Sequence, residues 1–152
     1  MILVLVACII IGLDQITKYT VSNVLSVGES VPVISGFFNI TLIHNPGAAF
    51  GLFPNRHVFF LVFSCITFIL ITKLYFQYAR SNTFLKVIFG LIVGGACGNL
   101  IDRVLLKYVI DFLDFYILQY HWPAFNVADS AICVGVSLFC LFFFRYKPQH
   151  SG

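Results

Sequence analysis

The sequence predicts an all-α membrane protein in which four transmembrane helices carry a small β-sheet on the outer membrane face. Of the 152 residues, 60% are hydrophobic and only 10% are charged, whereas a soluble domain carries about 25% charged residues. Four apolar segments are each long enough to cross the bilayer core, which takes about 20 helical residues. The length fits one folding unit, so we expect residues 1–152 to form a single membrane-embedded domain.

The predicted helices are the four apolar segments, about residues 2–22, 57–78, 84–106 and 125–146. Three of them carry polar residues near one end. The first is interrupted by Asp14 and Lys18, the third is polar from Asn99 onward, and the fourth is polar at Asn126 and Asp129.

Two longer segments, about residues 25–56 and 107–123, connect these helices. In the first, Phe38-Asn39-Ile40-Thr41-Leu42 alternates apolar and polar residues, which indicates a strand. Asn45-Pro46-Gly47 then marks a turn. The second segment is expected to be a loop whose aromatic side chains favour the membrane interface.

The distribution of charge predicts the orientation. Four helices place both termini and the loop near residue 80 on one side. That side holds five basic residues and no acidic one: Lys73, Arg80, Lys86, Arg145 and Lys147. The other side holds four basic residues and all six acidic residues. Because cationic loops stay cytoplasmic, we expect both termini inside. The net charge of +3 is small and diffuse, so nucleic acid is not an expected partner.

Polar groups from three helices converge on one layer of the outer face. Ionisable residues at membrane depth are rare and usually functional. Asp14 and Lys18 are four residues apart and can pair on one helical face, although Lys18 could instead reach the lipid headgroups. Gly95, Asn99 and Arg103 recur every four residues and form one stripe of the third helix.

Carboxylates are the chemistry that this layer offers. The five cysteines and four histidines show no metal-ligand spacing, so we expect no metal site and no disulfide framework. Two carboxylates held close cannot both ionise, so one keeps its proton. The ionised one can take a proton from water while the protonated one polarises a carbonyl. In the alternative interpretation these residues have no catalytic role. Asp111 and Asp114 would then be solvated charges in a loop, and Asp102 would form a surface ion pair with Arg103. Asp129, at the start of an apolar helix, is the hardest to explain in that way.

Five motifs, in order along nearly the whole chain, resemble those of the lipoprotein signal peptidase (signal peptidase II) family. Each motif is weak alone, but the set is specific. The motifs are Leu13-Asp14-Gln15-x-x-Lys18, Asn45-Pro46-Gly47-Ala48-Ala49-Phe50, Gly95-Ala96-Cys97-Gly98-Asn99-x-x-Asp102-Arg103, Val109-Ile110-Asp111-Phe112 and Phe125-Asn126-x-Ala128-Asp129-Ser130.

The resemblance implies an aspartic endopeptidase whose two catalytic aspartates align with Asp111 and Asp129. The residues that match the rest of the family's site are Asp14, Lys18, Asn45, Gly95, Asn99, Arg103 and Asn126. The resemblance also implies four transmembrane helices with a small periplasmic β-sheet in the bacterial inner membrane. Such an enzyme cleaves prolipoproteins before a diacylglyceryl-modified cysteine, uses no cofactor and is blocked by globomycin. Membrane lipids are further expected partners, and a monomer is the expected state.

A small multi-pass transporter or channel is the alternative function. Such proteins place charges near the bilayer midplane and often contain a repeat, whereas here the charges lie toward one face and no repeat is apparent. Gly90, Gly94 and Gly98 recur every four residues, and for Gly90 and Gly94 we expect close packing between helices. A structural assembly subunit would explain this glycine stripe, but not the aspartates.

Overall fold

The computed structural model describes residues 1–47 and 57–145, without the side chains of 57–61 and 63–65. The elements, in chain order, are helix α1 (Ile2–Val24), strands β1 (Ser30–Ile34) and β2 (Phe38–Asn45), helix α2 (His57–Leu74) with a π-helical turn (Tyr75–Ala79), helix α3 (Thr83–Leu105), strands β3 (Val109–Ile117) and β4 (Tyr120–His121), and helix α4 (Val127–Arg145). With the π-helical turn counted into α2, the helices begin and end within about two residues of the predicted positions. The end of one motif, Ala48-Ala49-Phe50, lies outside the described residues.

Three of the helices, α1, α3 and α4, are long and apolar enough to cross a membrane. The described apolar part of the second helical segment, Ile66–Ala79, is shorter. The described residues therefore contain three of the four predicted spans by length and composition.

Glycines on α3 allow its close approach to α1. A Cβ atom at Gly90 would lie 2.7 Å from Val6 Cβ, and one at Gly94 would lie 2.8 Å from Ile10 Cβ. Both distances are too short for carbon atoms, so only glycine fits this packing. The expected packing role of Gly90 and Gly94 is confirmed.

The start of α4 is fixed by a reciprocal pair of hydrogen bonds. Asn126 Oδ1 accepts from the Asp129 backbone N at 2.9 Å, and Asp129 Oδ2 accepts from the Asn126 backbone N at 3.3 Å. This arrangement follows the logic of a capping box, in which the cap residue and the third helical residue satisfy each other's backbone donors. It places Asp129 in the first turn of α4.

The four strands form one antiparallel sheet in the order β1-β2-β3-β4. Asn39 lies opposite Asp114 and Ile43 opposite Asp111, with a register shift between Ile40 and Ile43. The expectation of a loop at residues 107–123 is wrong, because β3 and β4 lie there. Residues 109–112 of β3 are all buried, so a strand covered on both faces does not show the apolar–polar alternation of a half-exposed one.

The sheet packs on the end of α1. Leu25, which follows α1, forms a buried cluster with Leu42 of β2 and Ile110 of β3. This contact brings the sheet next to the polar ends of α1 and α3. A second buried cluster, around Leu85, Ile88 and Phe89, lies at the start of α3.

Candidate active site

A cavity of about 480 Å³ lies where the sheet, α3 and the start of α4 meet. The side chains of Asp111 from β3 and Asp129 from α4 both line it. Its described lining consists of Asn45, Gly47, Asn99, Arg103, Val109, Asp111, Trp122, Pro123, Ala124, Phe125, Asp129, Ser130, Cys133 and Val134. The cavity thus joins two carboxylates from different elements to a largely apolar wall.

Asp111 is 3% exposed, and both of its carboxylate oxygens accept hydrogen bonds. Asn45 Nδ2 donates to Oδ2 at 2.8 Å, and Asn126 Nδ2 donates to Oδ1 at 2.7 Å. Burial raises the pKa of Asp111 from 3.8 to about 7, and the negative charge of Asp129 adds to the rise while both hydrogen bonds oppose it. Asp111 can therefore hold a proton at neutral pH.

Two hydrogen-bond donors and the N-terminus of α4 act on Asp129. Asn99 Nδ2 donates to its Oδ1 at 2.7 Å, and the Asn126 backbone N donates to its Oδ2. The third influence is the N-terminus of α4, where aligned peptide dipoles favour a negative charge. All three stabilise the ionised carboxylate.

Asn126 connects the two aspartates. Its side chain is fully buried, and its Nδ2 lies within hydrogen-bond distance of Asp111 Oδ1, Asn99 Oδ1 and the Ile110 carbonyl oxygen. Its Oδ1 caps α4 at Asp129. One amide therefore fixes the relative position of β3, α3 and α4.

A buried ionic cluster lies next to Asn99, the residue that donates to Asp129. Lys18 is 1% exposed, and its Nζ lies 2.8 Å from Asp14 Oδ2, 2.8 Å from Asp102 Oδ2 and 3.1 Å from Asn99 Oδ1. The predicted pairing of Asp14 with Lys18 is present, and the alternative in which Lys18 reaches the headgroups is wrong. Asp14 Oδ1 also accepts from the Ala128 backbone N at 2.9 Å, which ties α1 to α4.

The sequence reasoning missed Asp102 and Gln15. The alternative that made Asp102 a surface partner of Arg103 is wrong, because Asp102 is 2% exposed. Its carboxylate contacts Lys18 and accepts from Gln15 Nε2 at 3.0 Å and from the Ile110 backbone N at 3.1 Å. The available signal was its spacing, since Asp102 follows Asn99 by three residues and shares its helical face.

Of the remaining predicted residues, Asn45 and Arg103 line the cavity, whereas Gly95 is not among its described lining residues. Asn45 lines it and also makes the predicted turn, because its Oδ1 accepts from the Gly47 backbone N at 3.0 Å. Arg103 lines it, and its Nη1 donates to the Asn99 carbonyl oxygen at 3.3 Å. Gly95 contacts the Ala128 carbonyl oxygen, where any side chain would clash, so it allows α3 and α4 to approach closely.

Long apolar helices, a small sheet and carboxylates facing a cavity together define a membrane enzyme. Two solved structures, each described as a bacterial membrane enzyme, have the same fold. One has a TM-score of 0.88 and 35% identity, and the match covers 99% of this chain and 94% of that one. The other has a TM-score of 0.85 and 36% identity, with 95% and 94% covered.

Residues 6–145 match the family model for signal peptidase (SPase) II. A lipoprotein signal peptidase from Desulforapulum autotrophicum is 51% identical over 142 residues, covering 90% of this chain and 88% of that protein. One from Syntrophotalea carbinolica is 42% identical over 154 residues, covering 99% and 96%. The chain belongs to the signal peptidase II family and is a protease of that family. The resemblance drawn from the motifs is confirmed, and nothing supports the transporter or channel.

Proposed function

We propose that this chain is an aspartic endopeptidase that removes signal peptides from prolipoproteins by cleaving before a diacylglyceryl-modified cysteine. Asp111 and Asp129 are its catalytic residues. The observation that carries this proposal is that both carboxylates line one cavity, each held by a donor amide from Asn126 or Asn99. The substrate is inferred from relatives named lipoprotein signal peptidase.

The two carboxylates take different roles because their surroundings differ. Asp129 is the base, since it lies in the first turn of α4, where aligned peptide dipoles favour the ionised form, whereas Asp111 lies in strand β3. Asp111 is the acid, because its raised pKa of about 7 lets it keep a proton at neutral pH. The pair shares one proton and titrates as a unit.

In the proposed reaction, Asp129 takes a proton from a water molecule whose oxygen attacks the scissile carbonyl carbon. The protonated Asp111 hydrogen-bonds the carbonyl oxygen, which becomes negative as the tetrahedral intermediate forms. The proton on Asp129 then passes to the amide nitrogen, and the C–N bond breaks to release a free amine and a carboxylic acid. These steps use no metal, cofactor or covalent intermediate.

The supporting residues hold this geometry. Asp14 and Lys18 fix Asn99 from below, and Asn45 orients Asp111 from the sheet. Arg103 lines the cavity, where its guanidinium can meet a headgroup or carbonyl oxygen of the substrate.

The lipid on the substrate explains why a membrane enzyme is suited to this cleavage. Each buried acyl methylene contributes about 0.8 kcal/mol of membrane affinity, so two chains anchor a peptide stably. The scissile bond, next to the lipidated cysteine, is then held at a fixed depth. Phe125 and Val134 supply apolar lining beside the aspartates, which suits an acyl chain.

The complete topology is part of the proposal. Four helices cross the bacterial inner membrane, both termini are cytoplasmic, and the active site faces the periplasm. The enzyme works as a monomer among membrane lipids, and globomycin-type inhibitors occupy the cavity. A periplasm-dependent reporter fused after Gly152 should be silent, and one inserted at the turn around Gly28 should be active. The reverse pattern would place the site in the cytoplasm and contradict the proposal.

The function is tested with purified protein and a diacylglyceryl-modified prolipoprotein, with the product masses measured. Cleavage should occur on the N-terminal side of the modified cysteine, and the same sequence without lipid should be cut negligibly. A chelator should leave the rate unchanged. Equal rates for the two substrates would refute the lipid requirement, and loss of activity on chelation with recovery on adding zinc would refute the carboxylate mechanism.

A further inference from the structure

A chain of polar side chains crosses all four strands of the sheet. Ser30 of β1 hydrogen-bonds Thr41 of β2 through their hydroxyl oxygens at 2.7 Å. Thr41 Oγ1 donates to Asp114 Oδ2 of β3 at 2.8 Å, and His121 Nδ1 of β4 lies 2.7 Å from Asp114 Oδ1. We call Ser30, Thr41, Asp114 and His121 the transverse ladder. None of its members lines the cavity described above.

The ladder has a defined direction. Because the Thr41 hydroxyl donates its hydrogen bond to Asp114, its oxygen must accept a hydrogen bond from the Ser30 hydroxyl. With both oxygens of Asp114 accepting, His121 must present a protonated Nδ1, which is available in the Nδ1–H tautomer and in the cation. Asp114 is 5% exposed, whereas the His121 side chain is 52% exposed. The buried carboxylate of Asp114 therefore lies inside the ladder, and His121 forms the end of the ladder at the sheet surface.

The His121 end of the ladder begins one wall of the cavity. Directly after it, residues 122–125 run back along β3 and line the cavity. The Trp122 backbone N donates to the Phe115 carbonyl oxygen at 2.8 Å, and the Phe125 and Leu113 backbones exchange hydrogen bonds of 3.2 and 2.8 Å. The segment ends at Asn126, which caps α4 and binds Asp111.

We propose that Asp114 and His121 are positioning residues that hold residues 122–125 at the distance from α4 that the substrate requires. The segment is fixed at its far end by Asn126, whereas β4, only two residues long, holds its near end. A charge-assisted hydrogen bond is about twice as strong as a neutral one, so the Asp114–His121 bond of 2.7 Å should hold that end more firmly than a neutral backbone bond such as that from Trp122 N to the Phe115 carbonyl oxygen. Loosening it changes the width of the cavity without touching Asp111 or Asp129.

The inference rests on the proposed function. It predicts that loss of the Asp114–His121 bond changes KM while kcat stays nearly the same. Replacing His121 by Phe keeps a ring against Tyr116, on which His121 stacks at 5.0 Å, but removes the hydrogen bond. Because the His121 side chain is half exposed, we expect the KM for the lipidated prolipoprotein to rise about three- to tenfold, the range for loss of one ordinary hydrogen bond. The kcat should stay within about twofold of the wild-type value. In His121→Asn the side-chain Nδ2 can take the place of the histidine Nδ1 as donor to Asp114. The KM of this variant should therefore lie close to the wild-type value.

The matched control is Tyr120→Phe, which removes a polar group from the same strand and should leave both constants unchanged. If His121→Phe does not fold, Asp114→Asn carries the test, because a neutral amide weakens the bond to His121 and should raise KM by a smaller factor. An unchanged KM in His121→Phe would overturn the positioning role. So would a KM for His121→Asn that is as high as the KM for His121→Phe. Failure of the wild-type enzyme to cleave the substrate would instead count against the proposed function.

Discussion

Lys18 and Asn99 are joined by a buried hydrogen bond of 3.1 Å that sets the direction of the Asn99 side chain. Because the ammonium group has only donors, it selects the amide oxygen of Asn99. The amide nitrogen then points the other way and donates to Asp129 Oδ1 at 2.7 Å. A cation on α1 thereby determines which group of α3 meets a proposed catalytic carboxylate on α4.

Removing the charge of Lys18 should destabilise the protein strongly. Lys18→Met keeps the length of the side chain but leaves Asp14 and Asp102 buried without their cation, a change that costs about 3–5 kcal/mol. The measurement is the free energy of unfolding in detergent micelles. Lys107→Met, at an exposed lysine that donates to the Val104 carbonyl oxygen, should change this free energy by less than about 1 kcal/mol. Equal effects of the two changes would show that the buried cluster does not stabilise the fold.

Gly98 should be intolerant of even a methyl group. A Cβ there would lie 2.6 Å from Asp14 Oδ2, so Gly98→Ala must displace the carboxylate that binds Lys18 and the Ala128 backbone N. We expect a loss of about 1–3 kcal/mol, as for other overpacked sites, together with lower turnover. Gly12→Ala is the control, since nothing lies within 4 Å of its added carbon, and it should stabilise α1 by up to about 1 kcal/mol. A neutral effect of Gly98→Ala on unfolding would contradict the packing described.

The helices could be predicted from the sequence because each is a long apolar run, and length alone separates such runs from strands. The polar layer could be predicted because Asp14, Asn99 and Asp129 interrupt those runs. Strand β3 was not found, since it is covered on both faces and its two aspartates disrupt the apolar pattern. Asp102 was not assigned to the site, because its partners Lys18 and Gln15 lie more than 80 residues away. Local spacing carries no information about such distant contacts.

The activity should fall as the pH rises through about 7. The fold raises the pKa of Asp111 from 3.8 to about 7 through burial, and in the proposed mechanism Asp111 acts while protonated. The relevant measurement is kcat/KM, which reports ionisations of the free enzyme. A value that stays constant between pH 6 and pH 9 would contradict the assignment of Asp111 as the acid.

The same raised pKa predicts a dependence of stability on pH. Between pH about 4 and about 7 the folded state binds a proton at Asp111 that the unfolded chain has released, so the free energy of unfolding falls as the pH rises and levels off above 7. Asp111→Asn should remove this contribution, leaving the slope in that window smaller than in the wild type. An unchanged slope in the variant would show that Asp111 is not the group responsible.

Arg103 should contribute to turnover more than its neighbour Lys107. Arg103 lines the cavity, whereas Lys107 lies outside its described lining. Arg103→Ala should therefore lower kcat/KM for the lipidated substrate about tenfold or more, the usual effect of losing a charged contact. Lys107→Ala should change it by less than about twofold, and a comparable loss in both variants would indicate a general effect of surface charge.

The central claim, that Asp111 and Asp129 carry out the cleavage, is tested most directly by replacing each with asparagine. The amide keeps the size of the side chain but cannot act as the base or as an equivalent acid. We expect Asp111→Asn and Asp129→Asn each to lower the rate of cleavage of the lipidated prolipoprotein by at least about a thousandfold, within the range for removal of a catalytic acid or base, while both variants remain folded. Glu29→Gln, an exposed carboxylate of the same sheet region, should keep the wild-type rate. Cleavage at the wild-type rate by either aspartate variant, measured by product mass, would contradict the mechanism.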